Sequence, residues 1–382
     1  MLGPSPRARG DQVSSPDDQW SPDITGIFVR GTVSIIQPIF TWGLIQNARL
    51  AAEQGLRAAR AGVDAKNTEV ALRVKQAYWG LVAARSIRAF LLEVREQVDR
   101  ATARTERLVE GGYATDVDLY RLRSKRGELE KGLNLAEKTI DIAGQALATW
   151  TGQPPGTAVE PADAALPAEV KPLRAVELYV QDALAGRPEF TQLREGISAR
   201  RNLVEVERKQ AYPQFFVGLI GDVAYATNRD RLENPFVVDP LYHAAIGPVI
   251  GFRYTLDFGL RAGKVKEAQA EVEKLEALRD YATDGIPLQV RDAYDAVVEA
   301  SRNVAVFSQA HENAKRWLVA SSSNADLGIG EPTDLADAFV EYARTRAEYF
   351  QALYAYVYGL EQLAHAAGLD VEAVQRLAPP KP

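Results

Sequence analysis

The side chains that could do chemistry are few and scattered. His243, His311 and His365 lie far apart in the sequence and lack the short spacings of a metal site. The chain has no cysteine, which excludes disulfides, thiol nucleophiles, Cys-based zinc sites and a lipidated N-terminal Cys. The segment GLRAGK at 259–264 has a glycine and a lysine but not the spacing of a phosphate loop. His311 falls in an apolar helix seam, where packing or an interface contact is expected rather than ligation. Acidic positions in the long helical stretches read as solvated faces. No catalytic, cofactor-binding or metal-binding residue is therefore expected, and the reading is not an enzyme. A net charge of −6 argues against nucleic acid as a partner.

The rest of the chain is pattern and length. Residues 25–40 (TGIFVRGTVSIIQPIF) alternate, with Ile27, Val29, Val33 and Ile35 on one side and Arg30, Thr32 and Ser34 on the other. Period two means a strand with one apolar and one polar face. Pro38 cannot continue a ladder and is expected to end it. From Trp42 to about Glu110 there is no proline, and good helix formers dominate. A helix of that length would run ~100 Å at ~1.5 Å per residue, against a usual ~11–12 residues. It needs something other than a globular core to pack on.

Gly111–Asp116 reads as a turn, with Thr115 or Asp116 capping the next helix, which runs to about Gly152. A Pro-rich connector (153–170) leads to a short helix around 173–184. Arg187-Pro188-Glu189 starts another helix, Pro being favoured in the first turn. It ends near Tyr212-Pro213. Two strand candidates, 214–226 and 242–256, flank a polar loop. A second very long helix runs from Leu260 to about Ala320, with a seam through Val290, Ala293, Val297, Ala300, Val304 and Phe307. Gly285 and Pro287 should kink it. A Gly-rich turn at Gly328–Pro332 precedes a last helix, about 333–367. Residues 1–24 and 378–382 read as disordered, and no run approaches the ~18 apolar residues of a transmembrane helix.

The two halves superimpose by subtraction. Gly259 minus Gly43 gives 216, as do Val290 minus Val74, Tyr294 minus Tyr78 and Gly368 minus Gly152. At the helical turn the match slips by two, Thr333-Asp334 answering Thr115-Asp116 at 218. The unit is strand, long helix, tight turn, returning helix. The expected division is a loop-like 1–24, repeat 1 at 25–152, a connector with a short helix at 153–186, repeat 2 at 187–368 and a tail at 369–382. Two functions fit, a duplicated duct subunit and a soluble coiled-coil scaffold or adaptor in which 212–258 pack internally. The strands favour the duct. A membrane barrel needs alternating lipid-facing and lumen-facing residues, and Arg30, Asp222 and Arg253 would then face the lumen.

At this level the chain resembles the TolC family of outer-membrane efflux proteins over about 25–368. The resemblance rests on RPEFTQLREGISARRNLVEVERKQAYPQFFVGLIGD (187–222), on SIIQPIFTWGLIQNARLAAEQ (34–54) with its counterpart GFRYTLDFGLRAGKVKEAQAE (251–271), and on the Ala-Tyr pair in each long helix (77–78 and 293–294). It implies a mainly α fold with a small β part. Three protomers would share one β-barrel in the outer membrane and a tapering tube of coiled-coil helices across the periplasm. The implied partners are two further copies, outer-membrane lipid, a periplasmic adaptor (membrane fusion) protein and an inner-membrane pump, with no cofactor. The tip turns meeting the adaptor would be Gly111, Gly112 and Thr115, and Gly328, Gly330 and Thr333. The family's acidic entrance ring maps onto Asp334 and Asp337, three apart on one helical face, with Asp116 the matching position of repeat 1. The same carboxylates also read as an N-cap and first-turn acids. The family's Tyr and Arg tip locks fall on Ala325 and Gly330, so no strong polar lock is expected there.

The resemblance further implies a partner strand, preceding helices and a signal peptide upstream of the strand at 25–40. None is visible in residues 1–23, so an N-terminally truncated chain is expected, with residues 1–24 standing as an extracellular loop.

Overall fold

The computed structural model describes residues 2–4, 26–154, 156–228, 239–327, 329 and 332–375. Its elements are β1 (Leu2–Pro4), β2 (Ile27–Phe40), α1 (Leu44–Glu110), α2 (Asp116–Trp150), α3 (Val176–Gly186), α4 (Pro188–Lys209), β3 (Gln214–Ala226), β4 (His243–Arg253), α5 (Leu260–Leu327), α6 (Pro332–Ala367) and α7 (Val371–Gln375), and from β2 to α6 they follow the expected order. The strands form one antiparallel sheet in the order β1-β2-β3-β4. No helix among the described residues is long and apolar enough to cross a membrane.

The chain divides into two compact units. The first, residues 1–55 with 196–274, holds the sheet. β2 pairs with β3 from Phe28↔Ala226 to Pro38↔Phe216, and β3 with β4 from Gln214↔Arg253 to Ala224↔His243. Two expectations are corrected here. Pro38 does not end its strand; the register shifts between Pro38 and Phe40 and the pairing continues. A bulge accommodates the missing N–H locally. Repeat 1 also has a second strand, since Leu2–Pro4 pairs with 27–29 of β2. Three residues are too few to carry a readable period within 1–24. Residues 5–25 and 376–382 lie outside the described residues.

In this unit each long helix starts from the same unusual step. Trp42 and Gly43 have φ of 55° and 87°, and their counterparts Phe258 and Gly259 have φ of 41° and 103°. A bulky residue at positive φ is rare and strained, so its recurrence 216 residues later marks a built feature of the strand-to-helix turn. Trp42 is held there. Its indole Nε1 donates to the Pro213 carbonyl at 2.8 Å, and its ring lies 4.8 Å from Phe40 and 5.3 Å from Tyr212.

The second unit, residues 56–195 with 275–382, holds the helical core. Its largest cluster packs Val82 on α1 with Val290, Val297 and Val304 on α5, Leu353, Tyr356, Leu360 and Leu363 on α6, and Tyr179 on α3. The expected seam on α5 is thus the buried face. Helix α5 runs unbroken through Pro287. The proline removes one intrahelical bond, while Ile286 and Val290 beside it are buried in the core.

Tyrosine hydroxyls fasten the connector. Tyr78 Oη donates to Asp163 Oδ2 at 2.5 Å and accepts the Asp163 N–H at 3.1 Å. Tyr356 Oη accepts from Lys171 N at 2.9 Å. Tyr179 Oη accepts from Arg174 N and donates to the Val374 carbonyl at 2.8 Å. This gives the repeated Ala-Tyr pair a role, since Tyr78 holds the connector and Tyr294 packs 6.1 Å from Tyr179.

The Arg-Pro-Glu start of α4 also has a physical account. Arg187 is buried and donates to Glu189 (2.6 Å), Gln289 (3.1 Å) and the Ala366 carbonyl in the last turn of α6. Its stem fills the space left by Gly368, where a Cβ would sit 3.2 Å from Arg187 Cγ at φ +67°.

Candidate functional site

The sheet has two unlike faces. Register puts Ile27, Val29, Val33 and Ile35 of β2 on the same side as Phe215, Leu219, Val223 and Tyr225 of β3 and Ile246, Ile250 and Phe252 of β4. All eleven are exposed, Val33 at 68%, Ile246 at 73% and Ile250 at 80%. An uncovered apolar surface spanning three strands is not a water-facing surface. Aliphatic residues occupy its middle. Aromatics mark both ends, Phe40, Trp42, Tyr212, Phe215 and Phe252 at one and the Tyr225–Tyr242 pair at the other. That distribution matches a lipid-facing barrel wall with interfacial girdles.

The opposite face carries the charges. Arg30 Nε donates to Asp222 Oδ2 at 3.2 Å and Thr32 Oγ1 donates to the same oxygen at 2.6 Å. His243 Nε2 lies 2.6 Å from Asp222 Oδ1, and its Nδ1 lies 2.9 Å from the Asp239 carbonyl. The expected pair Arg30 and Asp222 is thus brought together. Arg253 shares their face, but pairs with Gln214 at the far end of the ladder, eight residues along β3 from Asp222. His243 is the member that sequence reading missed. Only the register of β4 against β3 reveals it. Toward the helix end this face becomes mixed, with Ile36, Phe216 and Val249 on it.

At the first helical turn α1 closes on Gly112, at φ +76°. Tyr113 N donates to Leu108 O at 2.8 Å and Gly112 N to Val109 O at 3.0 Å, a paired cap that needs a left-handed residue. Thr115 is the N-cap of α2, and Asp118 accepts from its N–H (3.1 Å) and its hydroxyl (2.7 Å). Asp116 is therefore the first helical residue, exposed, and not the cap. The T-x-x-D spacing was readable as a capping box.

The second turn repeats the first in part. Ile329 N donates to Asn324 O at 3.0 Å, 216 residues on from Tyr113 and Leu108. Gly328 and Gly330 lie outside the described residues. The slip to 218 is not a slip of the elements, because α2 begins at 116 and α6 at 332. Thr333 is instead the second residue of α6 and Asp334 the third, which corrects the N-cap reading of Asp334. Asp334 is tied back to α5, accepting from Trp317 Nε1 at 3.0 Å and from Ser321 Oγ. Asp337 has a 62% exposed side chain and only a loose contact, 3.8 Å, with Lys125 of α2. Across the protomer Arg104 donates to the Ala325 carbonyl at 3.2 Å. The described residues hold no group of three or more His, Cys, Asp or Glu able to hold a metal ion.

Comparison with known proteins agrees with this geometry. Solved structures with the same fold include the outer membrane protein VceC of Vibrio cholerae (TM-score 0.71, 19% identity, 96% of this chain and 86% of that one). They also include the CmeC outer membrane channel of Campylobacter jejuni (0.72, 15%, 98% and 79%). A third is the open state of the MtrE outer membrane channel of Neisseria gonorrhoeae (0.69, 15%, 92% and 82%). No curated protein matches the sequence. The sequence pattern of the outer membrane efflux protein family matches residues 17–153 and 179–369. The uncovered apolar face leaves no internal packing for the scaffold alternative, and the chain belongs to the outer membrane efflux protein family, as a channel that provides an exit duct through the outer membrane.

Proposed function

We propose that three copies of this chain close into one duct, with the apolar sheet face on lipid and Arg30, Asp222 and Arg253 lining the lumen. The observation that carries this is the uncovered apolar face set back to back with a paired charge network. Open sheet edges are costly in hydrocarbon. Three copies of a four-stranded antiparallel sheet close as an even-numbered barrel of alternating direction. The helices then extend into the periplasm. The turns at 111–116 and 328–334 form the tip that meets a periplasmic adaptor and, through it, an inner-membrane pump. Exposed Tyr113, Leu327 and Ile329 give that tip an apolar character suited to a protein partner.

Within this reading Asp337 supplies the entrance carboxylate and Asp334 mainly holds the hairpin, because Asp334 is engaged by Trp317 and Ser321 while Asp337 stands in solvent. Asp116 adds a further exposed carboxylate at the start of α2, beside the first turn. Rings of carboxylates attract cations. Native mass spectrometry of the detergent-solubilised protein should give a trimer. Under a salt gradient Asp337→Ala should lower cation selectivity more than Asp334→Ala. An unchanged reversal potential in Asp337→Ala would sink the entrance assignment.

A further inference from the structure

The pairing of α5 with α6 has one weak point. His311 on α5 is buried, 6% exposed, in the seam facing α6. Arg346 Nη1 of α6 contacts its Nε2. A guanidinium has no acceptor, so Nε2 must be the lone-pair nitrogen and the imidazole is neutral, with its proton on Nδ1. That Nδ1 is buried and has no partner among the described residues. Arg346 itself forms no ion pair among them. Its other neighbours are the rings of Tyr349 (5.3 Å) and Phe350 (4.8 Å). Toward the second turn the seam buries the polar Thr345 and Ser321 as well as the apolar Leu318, Ala338 and Phe339.

We propose that the His311–Arg346 contact is an acid-sensitive latch between α5 and α6. A proton arriving at Nε2 replaces the acceptor of Arg346 with a donor, and sets two cations against each other in a buried seam. The charged groups recorded around the ring are Arg346 of α6, Lys315 of α5 and Glu312 of α5, whose carboxylate is 3.7 Å from Nε2. Burial, Arg346 and Lys315 hold the imidazole below its ordinary pKa, and Glu312 only partly opposes them. The sign follows. The folded pKa lies below the unfolded one, so the unfolded seam binds the proton more readily and pairing weakens as pH falls through that window. The latch sits 16 residues before the end of α5 and 14 after the start of α6. Acid would thus loosen the stretch leading to the second turn, and with it the end of the duct. That last step rests on the entrance reading above.

Hydrogen exchange on the full-length trimer in detergent tests this, comparing pH 7.5 with 5.5 after correction for intrinsic rates. Amides of 305–325 and 338–352 should lose protection roughly two- to tenfold in acid, the equilibrium effect of one ordinary hydrogen bond. His311→Gln keeps an acceptor for Arg346 but cannot titrate, and should show no such loss. Arg346→Met should reduce it, which keeps the test open if the first variant folds poorly. Unchanged protection in the wild type, or an equal loss in His311→Gln, overturns the latch. An acid-loosened seam with unchanged channel conductance would leave the latch standing and count against the entrance reading alone.

Discussion

Adjacent residues on β2 give the sharpest test of the two faces. Val33 and Ser34 differ by one position, so their side chains leave opposite sides of the sheet. Val33 is six residues from Ile27 and seven from Phe40 in a strand of 14. At ~3.3 Å per residue and a tilt of ~45°, it lies ~14–16 Å from either end along the membrane normal. That is the midplane of a ~30 Å hydrocarbon core. An arginine there should cost ~2–4 kcal/mol in each copy. Its partner across the ladder is Gly221, so the charge has no neighbour to pair with. Ser34→Arg, on the charged face, should change stability by less than ~0.5 kcal/mol. Denaturant unfolding of protein folded into lipid vesicles reads both. If the sheet instead faced water, Val33→Arg would remove an exposed apolar group and be neutral or mildly favourable. Equal effects of the two variants, or a larger one at Ser34, would refute the assignment of faces.

Gly152 and Gly368 occupy equivalent positive-φ caps, at +72° and +67°, but only at Gly368 would a Cβ meet neighbours. Gly152→Ala should cost ~1–2 kcal/mol for the backbone alone. Gly368→Ala should cost visibly more, read as a larger drop in Tm. At the first turn, Asp118→Ala should lose ~1 kcal/mol with the capping box, while Asp116→Ala stays within ~0.5 kcal/mol; thermal melts separate them. For Glu189, burial pushes the carboxyl pKa up, but its bonds to buried Arg187 outweigh that, and the net shift is downward. Its contribution is therefore full above the ordinary value of 4.5 and fades as pH falls below it. Glu189→Gln should cost ~1–3 kcal/mol at pH 7, and the gap to wild type should close as pH falls below about 4.

Much of the fold was legible because its signals are periodic. The alternation in 25–40 survives as a real difference between faces over most of the strand, and blurs only toward the helix end, where Ile36 shares the charged face and the register shifts after Pro38. The first long helix was legible from the absence of proline and the second from its apolar seam and the 216-residue echo, and the strained Trp42 and Phe258 turns fall at that same spacing. What stayed hidden depends on register between distant segments. Asp334 looks like a cap in sequence, yet it is fixed by Trp317 and Ser321, whose approach is decided by how α5 and α6 pair. The Thr333-Asp334 match at 218 misled for a related reason. The helix starts at Pro332, so the motif moved while the element did not. His243 joins Asp222 only through the β3–β4 ladder. Proline gave the opposite error at Pro38, where a local rule predicts the end of the strand and the neighbouring pairing carries it through.

The most direct test of the duct is electrical. Purified full-length protein added to a planar lipid bilayer should insert and raise the current in discrete, stable steps, each of a size set by a single pore. A protein that stays in aqueous solution without detergent and leaves the bilayer silent would contradict the account.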